Sequence, residues 1–223
     1  KELKEILNLD LPDIEYVGLI NNDTSCYHGH RHITNYEDLI DSYTYLEEIG
    51  SSYYKVHNCF PFELLPQLDS LATKHNFEFG GHIPEGIDPL QFVRKFNNIN
   101  SIEHVSVLLR ALSFRIENPL NMIEAVGLLD GQYLDSLAYS MKEKNIAFTP
   151  NLLSEMEFIK SYPDDQKHLG EALLNRLLEY VKRISDHGVI ILAGTDNGLE
   201  SDDDVNLYQE LELLSQAELT NLQ

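Results

Sequence analysis

The feature that most constrains the fold is a regular alternation of strand-like and helix-like segments along the 223-residue chain. Short apolar, β-branched stretches predict six strands, at residues 14–20, 52–57, 77–82, 101–104, 146–152 and 190–196. Apolar residues at helical spacing predict helices over 1–9, 35–49, 61–74, 88–96, 130–144 and 163–187, and one that starts at Val205. The apolar region 105–129 is predicted to be a partly helical insertion. This alternation is typical of an α/β fold built on a parallel sheet or barrel.

The last predicted strand carries a single carboxylate to its end. Residues 190–198 read Ile-Ile-Leu-Ala-Gly-Thr-Asp-Asn-Gly, an apolar run that stops at a turn-forming sequence. The pattern predicts a buried parallel strand with Asp196 at its C-terminal end, which is the end where α/β barrels carry their active sites. An unpaired carboxylate is costly in apolar surroundings, so Asp196 is expected to face a cation or a metal ion.

Three further polar residues, Lys55, His82 and His104, lie at or near the C-terminal ends of three other predicted strands. Strand ends meet at the mouth of a barrel, so these residues are expected to lie near Asp196. Imidazoles and carboxylates are ordinary zinc ligands, and a lysine becomes a ligand when carbon dioxide adds to its amine. Each residue alone has a simpler interpretation, such as a hydrogen-bonded histidine, a Lys55–Asp196 ion pair or a turn-forming aspartate. Together, at successive strand ends, they favour a metal site.

Four short motifs surround these residues: Tyr54-Lys55-Val56, Gly81-His82-Ile83-Pro84, Ser101-Ile102-Glu103-His104 and Ala193-Gly194-Thr195-Asp196. In these motifs and their order, the sequence resembles the amidohydrolase superfamily, in its imidazolonepropionase-like and prolidase-like branch. The resemblance covers nearly the whole chain. It implies a TIM-type (β/α)8 barrel, of which residues 1–223 are expected to form a single partial domain holding strands three to eight. Strands one and two, the β-sandwich segment and the family's His-x-His pair on strand one are expected to be missing.

The resemblance also implies a role for each candidate. Lys55 matches the carboxylated lysine that bridges two metals, and His82 and His104 match the histidines that bind the second metal. Asp196 matches the aspartate that binds the first metal and shuttles protons. The implied cofactor is one or two divalent ions, with zinc favoured. The implied reaction is hydrolysis of an amide or cyclic amide C–N bond, in a dipeptide or an imidazolone-like substrate, by a metal-activated hydroxide.

Four residues are candidates for substrate binding: His28, His30, His57 and Asn151. His28 and His30 form a His-Gly-His sequence in a polar loop, where a position at the substrate mouth is favoured over metal ligation. His57 shares a strand face with Lys55, and a hydrogen bond at the rim is favoured over a metal contact. The missing His-x-His leaves open a non-catalytic barrel that serves as a binding or structural domain. The same fold also leaves open deamination or lactone hydrolysis.

The net charge of the chain limits the kinds of partner that it is expected to bind. The chain has 37 acidic and 16 basic residues, a net charge of −21, which argues against nucleic acid and anionic membranes. No apolar run is long enough to span a bilayer. A soluble protein with a small-molecule amide or peptide substrate is expected, with a homo-oligomer or a missing segment completing the barrel. The sequence begins at Lys1 rather than Met, so the true N-terminus is expected to be absent and the compartment is not predicted.

Overall fold

The computed structural model describes residues 17–21, 31–51, 53–113, 130–160, 163–196 and 206–220. Within these ranges lies a six-stranded sheet in the order β2-β1-β3-β4-β5-β6, and every pairing is parallel. The strands are β1 (Val17–Asn21), β2 (Arg31–His32), β3 (Tyr53–Val56), β4 (Glu78–Gly81), β5 (Ile99–Glu103) and β6 (Ala147–Thr149). The predicted α/β class with a parallel sheet is therefore confirmed.

Eight α-helices are found in the described part of the chain: α1 (Tyr36–Glu48), α2 (Leu65–His75), α3 (Pro89–Lys95), α4 (Val105–Ser113), α5 (Gly131–Glu143), α6 (Leu152–Lys160), α7 (Lys167–Asp186) and α8 (Asn206–Gln216). Two 3-10 turns, Phe62–Leu64 and Asp164–Gln166, lead into α2 and α7. None of these helices is both long enough and apolar enough to cross a membrane.

Polar side chains define where several helices begin. The Asn35 side chain accepts hydrogen bonds from the backbone N–H groups of Glu37 and Asp38, and Asp38 accepts one from the Asn35 N–H in return. This reciprocal capping box satisfies N–H groups that have no partner inside helix α1. Asp88 and Asp130 cap α3 and α5 in the same manner, each through one N–H group. These starts agree with the predicted ones within two residues.

The core lies between the sheet and the helices that cross it. Its largest fully buried side chains include Phe79 and Phe148 from strands and Phe92 from helix α3. Among the helices, α7 packs against both α5 and α6, and α8 packs against α6 and α7. The buried apolar side chains therefore come from both the strands and the helices.

The segment that leads to Asp196 differs from its prediction. Only Ile191 pairs with the described sheet, through an isolated parallel bridge to Phe148 in β6. Ile191 is buried, but the side chains of Ile190 and Leu192 on either side of it are 57% and 43% exposed. The prediction of a buried strand is wrong here, because this segment lies at the outer edge of the described sheet and packs on one face only.

Two elements were not predicted. Helix α6 begins at Leu152, the residue at the end of the strand predicted over residues 146–152. Strand β2 has only two residues, Arg31 and His32, and pairs with Ile20 and Asn21 of β1. Such a short segment has no periodicity of its own, so only its partner reveals it. The predicted helix 1–9 and the predicted insertion beyond Ser113 lie outside the described residues.

Candidate active site

The predicted site residues occupy successive strand ends of the sheet. Lys55 lies in β3, His82 directly follows β4, and His104 directly follows β5. Asn151 comes two residues after β6, and Asp196 ends the segment that bridges to β6 at Ile191. Because the strands are parallel, all five residues lie on the side of the sheet where the C-terminal ends of the strands are found.

Three of these residues have a left-handed backbone, with φ of 64° at His104, 51° at Asn151 and 52° at Asp196. A positive φ is uncommon outside glycine, and His, Asn and Asp are among the residue types that tolerate it best. His104 and Asn151 lie between a strand and the following helix, and Asp196 is the last described residue of the segment that bridges to β6. Left-handed backbone of this kind is often found at functional sites.

A row of three buried imidazoles lines one side of the site. The ring centroids of His57 and His82 are 4.2 Å apart, and those of His82 and His104 are 4.6 Å apart. All three side chains are buried. His57, for which a rim position was favoured, therefore lies beside a predicted metal ligand.

A chain of charged groups lies beside the imidazoles. Lys55 Nζ lies 2.5 Å from Glu103 Oε2 and 3.9 Å from Asp196 Oδ1. Asp196 Oδ2 lies 3.4 Å from His104 Nε2. The Asp196 side chain is 41% exposed, so the carboxylate that was predicted to be buried lies at an opening to solvent. Sequence reasoning missed Glu103, although it is an acidic residue inside a strand immediately before His104.

Three glycines lie so close to side chains of the site that a Cβ atom on any of them would overlap with a neighbouring side chain. A Cβ on Gly80 would lie 2.2 Å from Tyr53 Oη, and one on Gly81 would lie 2.9 Å from Lys55 Cγ. A Cβ on Gly194 would lie 2.6 Å from Asn151 Oδ1. The Tyr53 hydroxyl is hydrogen-bonded to Ser101 Oγ at 2.7 Å, and burial raises the pKa of Tyr53 above its ordinary value. Tyr53 is therefore a neutral hydrogen-bonding group below the charged cluster.

His104 has polar neighbours at both ring nitrogens. Asn151 Nδ2 lies 3.3 Å from His104 Nε2, and Glu155 Oε1 lies 3.9 Å from His104 Nδ1. Glu155 also accepts a hydrogen bond from Ser106 Oγ. Neither Glu155 nor Ser106 was predicted, because helix α6 was missed and the region after His104 was assigned only as an insertion.

Imidazole and carboxylate groups are suitable ligands for a divalent ion, and one pair of these groups also has a suitable distance between its ligand atoms. Tetrahedral zinc with bonds of about 2.1 Å holds neighbouring ligand atoms about 3.4 Å apart. His104 Nε2 and Asp196 Oδ2 have this separation. Across the described ranges, no group of three or more His, Cys, Asp and Glu side chains is arranged to hold a metal ion. Lys55, the predicted carbamate, is paired with Glu103.

The remaining two candidates belong to the predicted polar loop before β2. His28 and His30 fall in residues 22–30, outside the part of the chain that the structure describes. Their predicted position at the substrate mouth stays a prediction.

No protein-family model matches the sequence. Among curated proteins, the chain is 25% identical over 150 residues to a Lon protease of Aster yellows witches'-broom phytoplasma (strain AYWB), a match that spans 66% of this chain and 14% of that protein. The chain therefore covers only a small part of this curated relative, and the match assigns no activity.

Solved structures with a similar fold include two hydrolases. Bottromycin amidohydrolase matches with a TM-score of 0.63 and 16% identity, over 92% of this chain and 51% of that one. A Xaa-Pro dipeptidase with methionine bound in its active site matches with a TM-score of 0.54 and 14% identity, over 84% of this chain and 44% of that one. The chain thus spans about half the length of each. At these identities the likeness shows a shared fold, and function must be argued from the site.

Proposed function

We propose that the protein is a hydrolase that cleaves an amide or peptide C–N bond in a small molecule. The observation that carries the proposal is the position of Asp196, whose two carboxylate oxygens lie 3.4 Å from His104 Nε2 and 3.9 Å from Lys55 Nζ. A partly exposed carboxylate between a base and a cation can both receive and return a proton. The fold shared with an amidohydrolase and a dipeptidase supports this reaction class.

The proposal includes a divalent metal, zinc or a close neighbour, as one or two ions. His82, His104 and Asp196 would hold it, and Lys55 would join them if carbon dioxide adds to its amine. When bound, such an ion makes water a nucleophile near neutral pH and polarises the substrate carbonyl.

The protein's own residues then have separate tasks. Asp196 accepts the proton of the attacking water and delivers it to the leaving nitrogen. The buried row of His57, His82 and His104 excludes bulk water from one side of the site. We propose that His57 and Asn151 contact the substrate and that His28 and His30 approach it from their loop. The dipeptide-like or imidazolone-like character of that substrate is part of the proposal.

The alternative is a non-catalytic barrel domain, which one observation favours. Lys55 Nζ is 2.5 Å from Glu103 Oε2, and this ion pair would have to break before the amine could take up carbon dioxide. On this alternative, the buried polar cluster serves the packing of the strand ends.

The test compares metal content and turnover in the complete protein. Purified protein is analysed by mass spectrometry for metals, then assayed with Xaa-Pro dipeptides, N-acyl amino acids, lactones and aminated heterocycles, with and without chelator treatment. We expect bound metal and metal-dependent release of amine. A folded protein that binds no metal and turns over none of these substrates would support the alternative, and turnover of only lactones or aminated rings would reassign the reaction.

Variants at the site separate metal binding from proton transfer. Asp196→Asn should keep much of the metal but lower turnover by roughly 10²–10⁴-fold, the range for a lost general acid–base group. His104→Asn should lower both metal content and turnover. His168→Gln, at an exposed position in α7, is the matched control and should change neither. Equal turnover in Asp196→Asn and the control would contradict the assigned role.

A further inference from the structure

Helix α6 begins beside the candidate site with a residue of the type that usually caps a helix. The Asn151 carbonyl oxygen accepts a hydrogen bond from the Glu155 N–H at 3.2 Å, which is the first bond of the helix, so Asn151 is the N-cap residue. An N-cap asparagine ordinarily turns its side-chain oxygen back to accept from the N–H group of the second or third helical residue. Asn35 does this in helix α1, where its Oδ1 atom accepts from the N–H groups of Glu37 and Asp38.

The Asn151 side chain does not cap its own helix. Within the described residues, its Oδ1 atom has no hydrogen-bond partner, and its Nδ2 atom lies 3.3 Å from His104 Nε2. The φ angle of Asn151 is 51°, whereas Asn35 has the extended backbone of an ordinary N-cap, with a φ angle of −151°. Asn151 is also buried. Its amide therefore lies among the residues of the site and not over the first turn of α6.

A carboxylate from another helix caps α6 in its place. Glu210 in α8 is fully buried, and it accepts hydrogen bonds from the Leu153 N–H at 2.7 Å and the Leu152 N–H at 3.1 Å. Both N–H groups lack a partner within the helix, and Leu153 is the second helical residue, whose N–H an N-cap side chain can serve. Because Glu210 already occupies this N–H group, Asn151 would gain no bond to it by turning its side chain back.

We propose that Glu210 is a positioning residue for Asn151. By accepting the helix N–H groups, it allows Asn151 to keep a left-handed backbone and to hold its amide beside His104. Left-handed backbone is less favourable than extended backbone for a residue with a Cβ, and an N-cap hydrogen bond would reward a return to the extended form. The contact of this amide with a substrate rests on the proposed function, but the replacement of one cap by another does not.

The experiment locates the Asn151 amide in the presence and absence of Glu210. The full chain, labelled with ¹⁵N and ¹³C and treated with chelator, is studied by NMR. The side-chain amide signals of Asn151 are assigned by their loss in Asn151→Gly, since glycine tolerates the left-handed backbone. In the unsubstituted protein we expect a nuclear Overhauser effect (NOE) between these amide protons and the carbon-bound protons of the His104 ring, because Nδ2 and Nε2 are 3.3 Å apart.

Glu210→Ala should return the amide to the helix. The substitution frees the Leu153 N–H, and Asn151 then accepts this hydrogen bond through Oδ1 with an extended backbone. We expect the NOE between the Asn151 amide and His104 to disappear, and a new NOE to arise between Asn151 Hβ and the Leu153 N–H. Asn35, which caps α1, should give the corresponding Hβ pattern in both proteins and is the internal positive control.

Kinetics test the substrate contact separately. On an amide that the complete protein hydrolyses, Asn151→Gly and Glu210→Ala should each lower kcat/KM by roughly three- to tenfold, the effect of one lost hydrogen bond. The double variant should be no worse than either single variant, because both changes remove the same amide from the site. Losses that multiply in the double variant would show that Glu210 acts on turnover by another route and would overturn its assigned role.

Two NMR results would overturn the proposal: no NOE between Asn151 and His104 in the unsubstituted protein, or an unchanged NOE in a folded Glu210→Ala protein. Glu212→Ala, at an exposed position in the same helix, is the matched control and should leave the NOE unchanged. Should Glu210→Ala fail to fold, Glu210→Gln provides the second test, because its single acceptor oxygen leaves one N–H group unserved. The NOE should then weaken, and an unchanged NOE would count against the proposal. The NMR measurement needs neither substrate nor metal, so its failure is distinct from a failure of the hydrolase assay.

Discussion

At the scale of single residues, the site depends on backbone conformations and close contacts that few residue types allow. His104, Asn151 and Asp196 adopt positive φ angles, and their side chains still provide the chemistry. Glycine could adopt the same angles, but it would carry no functional group. Beside them, Gly80 and Gly194 approach neighbouring side chains more closely than any residue with a Cβ could.

The contact at Gly80 gives a direct prediction. In Gly80→Ala, the new methyl group would lie 2.2 Å from Tyr53 Oη and 2.4 Å from the Ser101 carbonyl oxygen. The strand backbone cannot yield easily, so the free energy of unfolding should fall by about 1–3 kcal/mol, the usual cost of overpacking a core. Urea unfolding followed by tyrosine fluorescence measures this, since the chain has 12 Tyr and no Trp.

Gly131→Ala is the matched control for Gly80→Ala. The atoms nearest to a Cβ there would belong to the Arg183 guanidinium, the far end of a long side chain that can shift more easily than the Ser101 backbone, and Gly131 starts helix α5, where alanine is the better helix former. The free energy of unfolding should therefore fall less than in Gly80→Ala, by no more than the loss of the Arg183–Asp135 contact. Equal effects of the two substitutions would contradict the packing argument.

At the scale of elements, helix α8 provides the cap of helix α6. The Leu152 N–H donates to Glu210 Oε1 at 3.1 Å, and the Leu153 N–H donates to Glu210 Oε2 at 2.7 Å. Glu210 is 0% exposed, and burial raises its pKa even though the two N–H groups oppose the shift. A carboxylate at a helix N-terminus satisfies N–H groups that lack partners within the helix. The cap comes from another helix and fixes the start of α6, which carries Glu155.

Removal of this cap should destabilise the protein. Glu210→Ala leaves two buried N–H groups without their acceptor, and each such group costs about 1–3 kcal/mol, so a loss of roughly 2–6 kcal/mol is expected. Thermal unfolding by circular dichroism measures the change. Glu212→Ala, at an exposed position in the same helix, should have little effect. A Glu210→Ala protein as stable as this control would show that other groups cap α6.

A second contact between elements joins helix α5 to the end of α7. Asp135 accepts hydrogen bonds from Arg183 Nε at 2.7 Å and Arg183 Nη2 at 2.8 Å, and its Oδ1 lies 2.9 Å from His187 Nε2. The hydrogen bonds from Arg183, followed by that from His187, lower the pKa of Asp135 to about 2. The ionised carboxylate is thus favoured in the folded protein.

The pH dependence of this contact follows from the sign of the shift. The folded pKa lies below the ordinary 3.8, so the contribution of Asp135 to stability is present above about pH 3.8 and is lost as the pH falls toward 2. Asp135→Asn should therefore be less stable than the unsubstituted protein at neutral pH, and the difference should vanish near pH 2. Melting temperatures across this range test it. In a double-mutant cycle, Arg183→Gln should add little once Asp135 has been replaced.

At the scale of the whole molecule, the net charge of −21 is expected to lower the free energy of unfolding. Like charges repel one another more strongly in the compact state than in the unfolded chain. An increase in NaCl from about 0.01 M to 0.1 M shortens the screening length from about 30 Å to about 10 Å. The melting temperature at neutral pH should rise, by roughly 2–4 °C for each kcal/mol gained. The rise should disappear near the isoelectric point of about 4.6, and a fall at neutral pH would contradict the argument.

Much of the fold and part of the site could be predicted from local patterns. Period-two and helical spacing report which faces of a segment are buried, and these patterns located β3, β4, β5, β6 and most helices. They also placed Lys55, His82 and His104 at strand ends. The same patterns overestimated the burial of the segment around Ile191. An apolar stretch of sequence predicts a strand equally well at the edge of a sheet and in its centre, so it does not show which of the two positions the strand occupies. The patterns missed α6 because its start depends on Glu210, which is more than one helix away in the sequence.

Short-range patterns in the amino-acid sequence were enough to predict the α/β alternation, the parallel sheet and the candidate residues near its strand ends. The contacts among those residues became visible in three dimensions. The tertiary structure paired Lys55 with Glu103, brought Asp196 to His104 and set Glu155 behind the imidazole. Ion pairs and hydrogen bonds act over a few ångströms in space. Their partners here come from strands and helices that are far apart in the sequence, and sequence separation does not predict which of them come into contact.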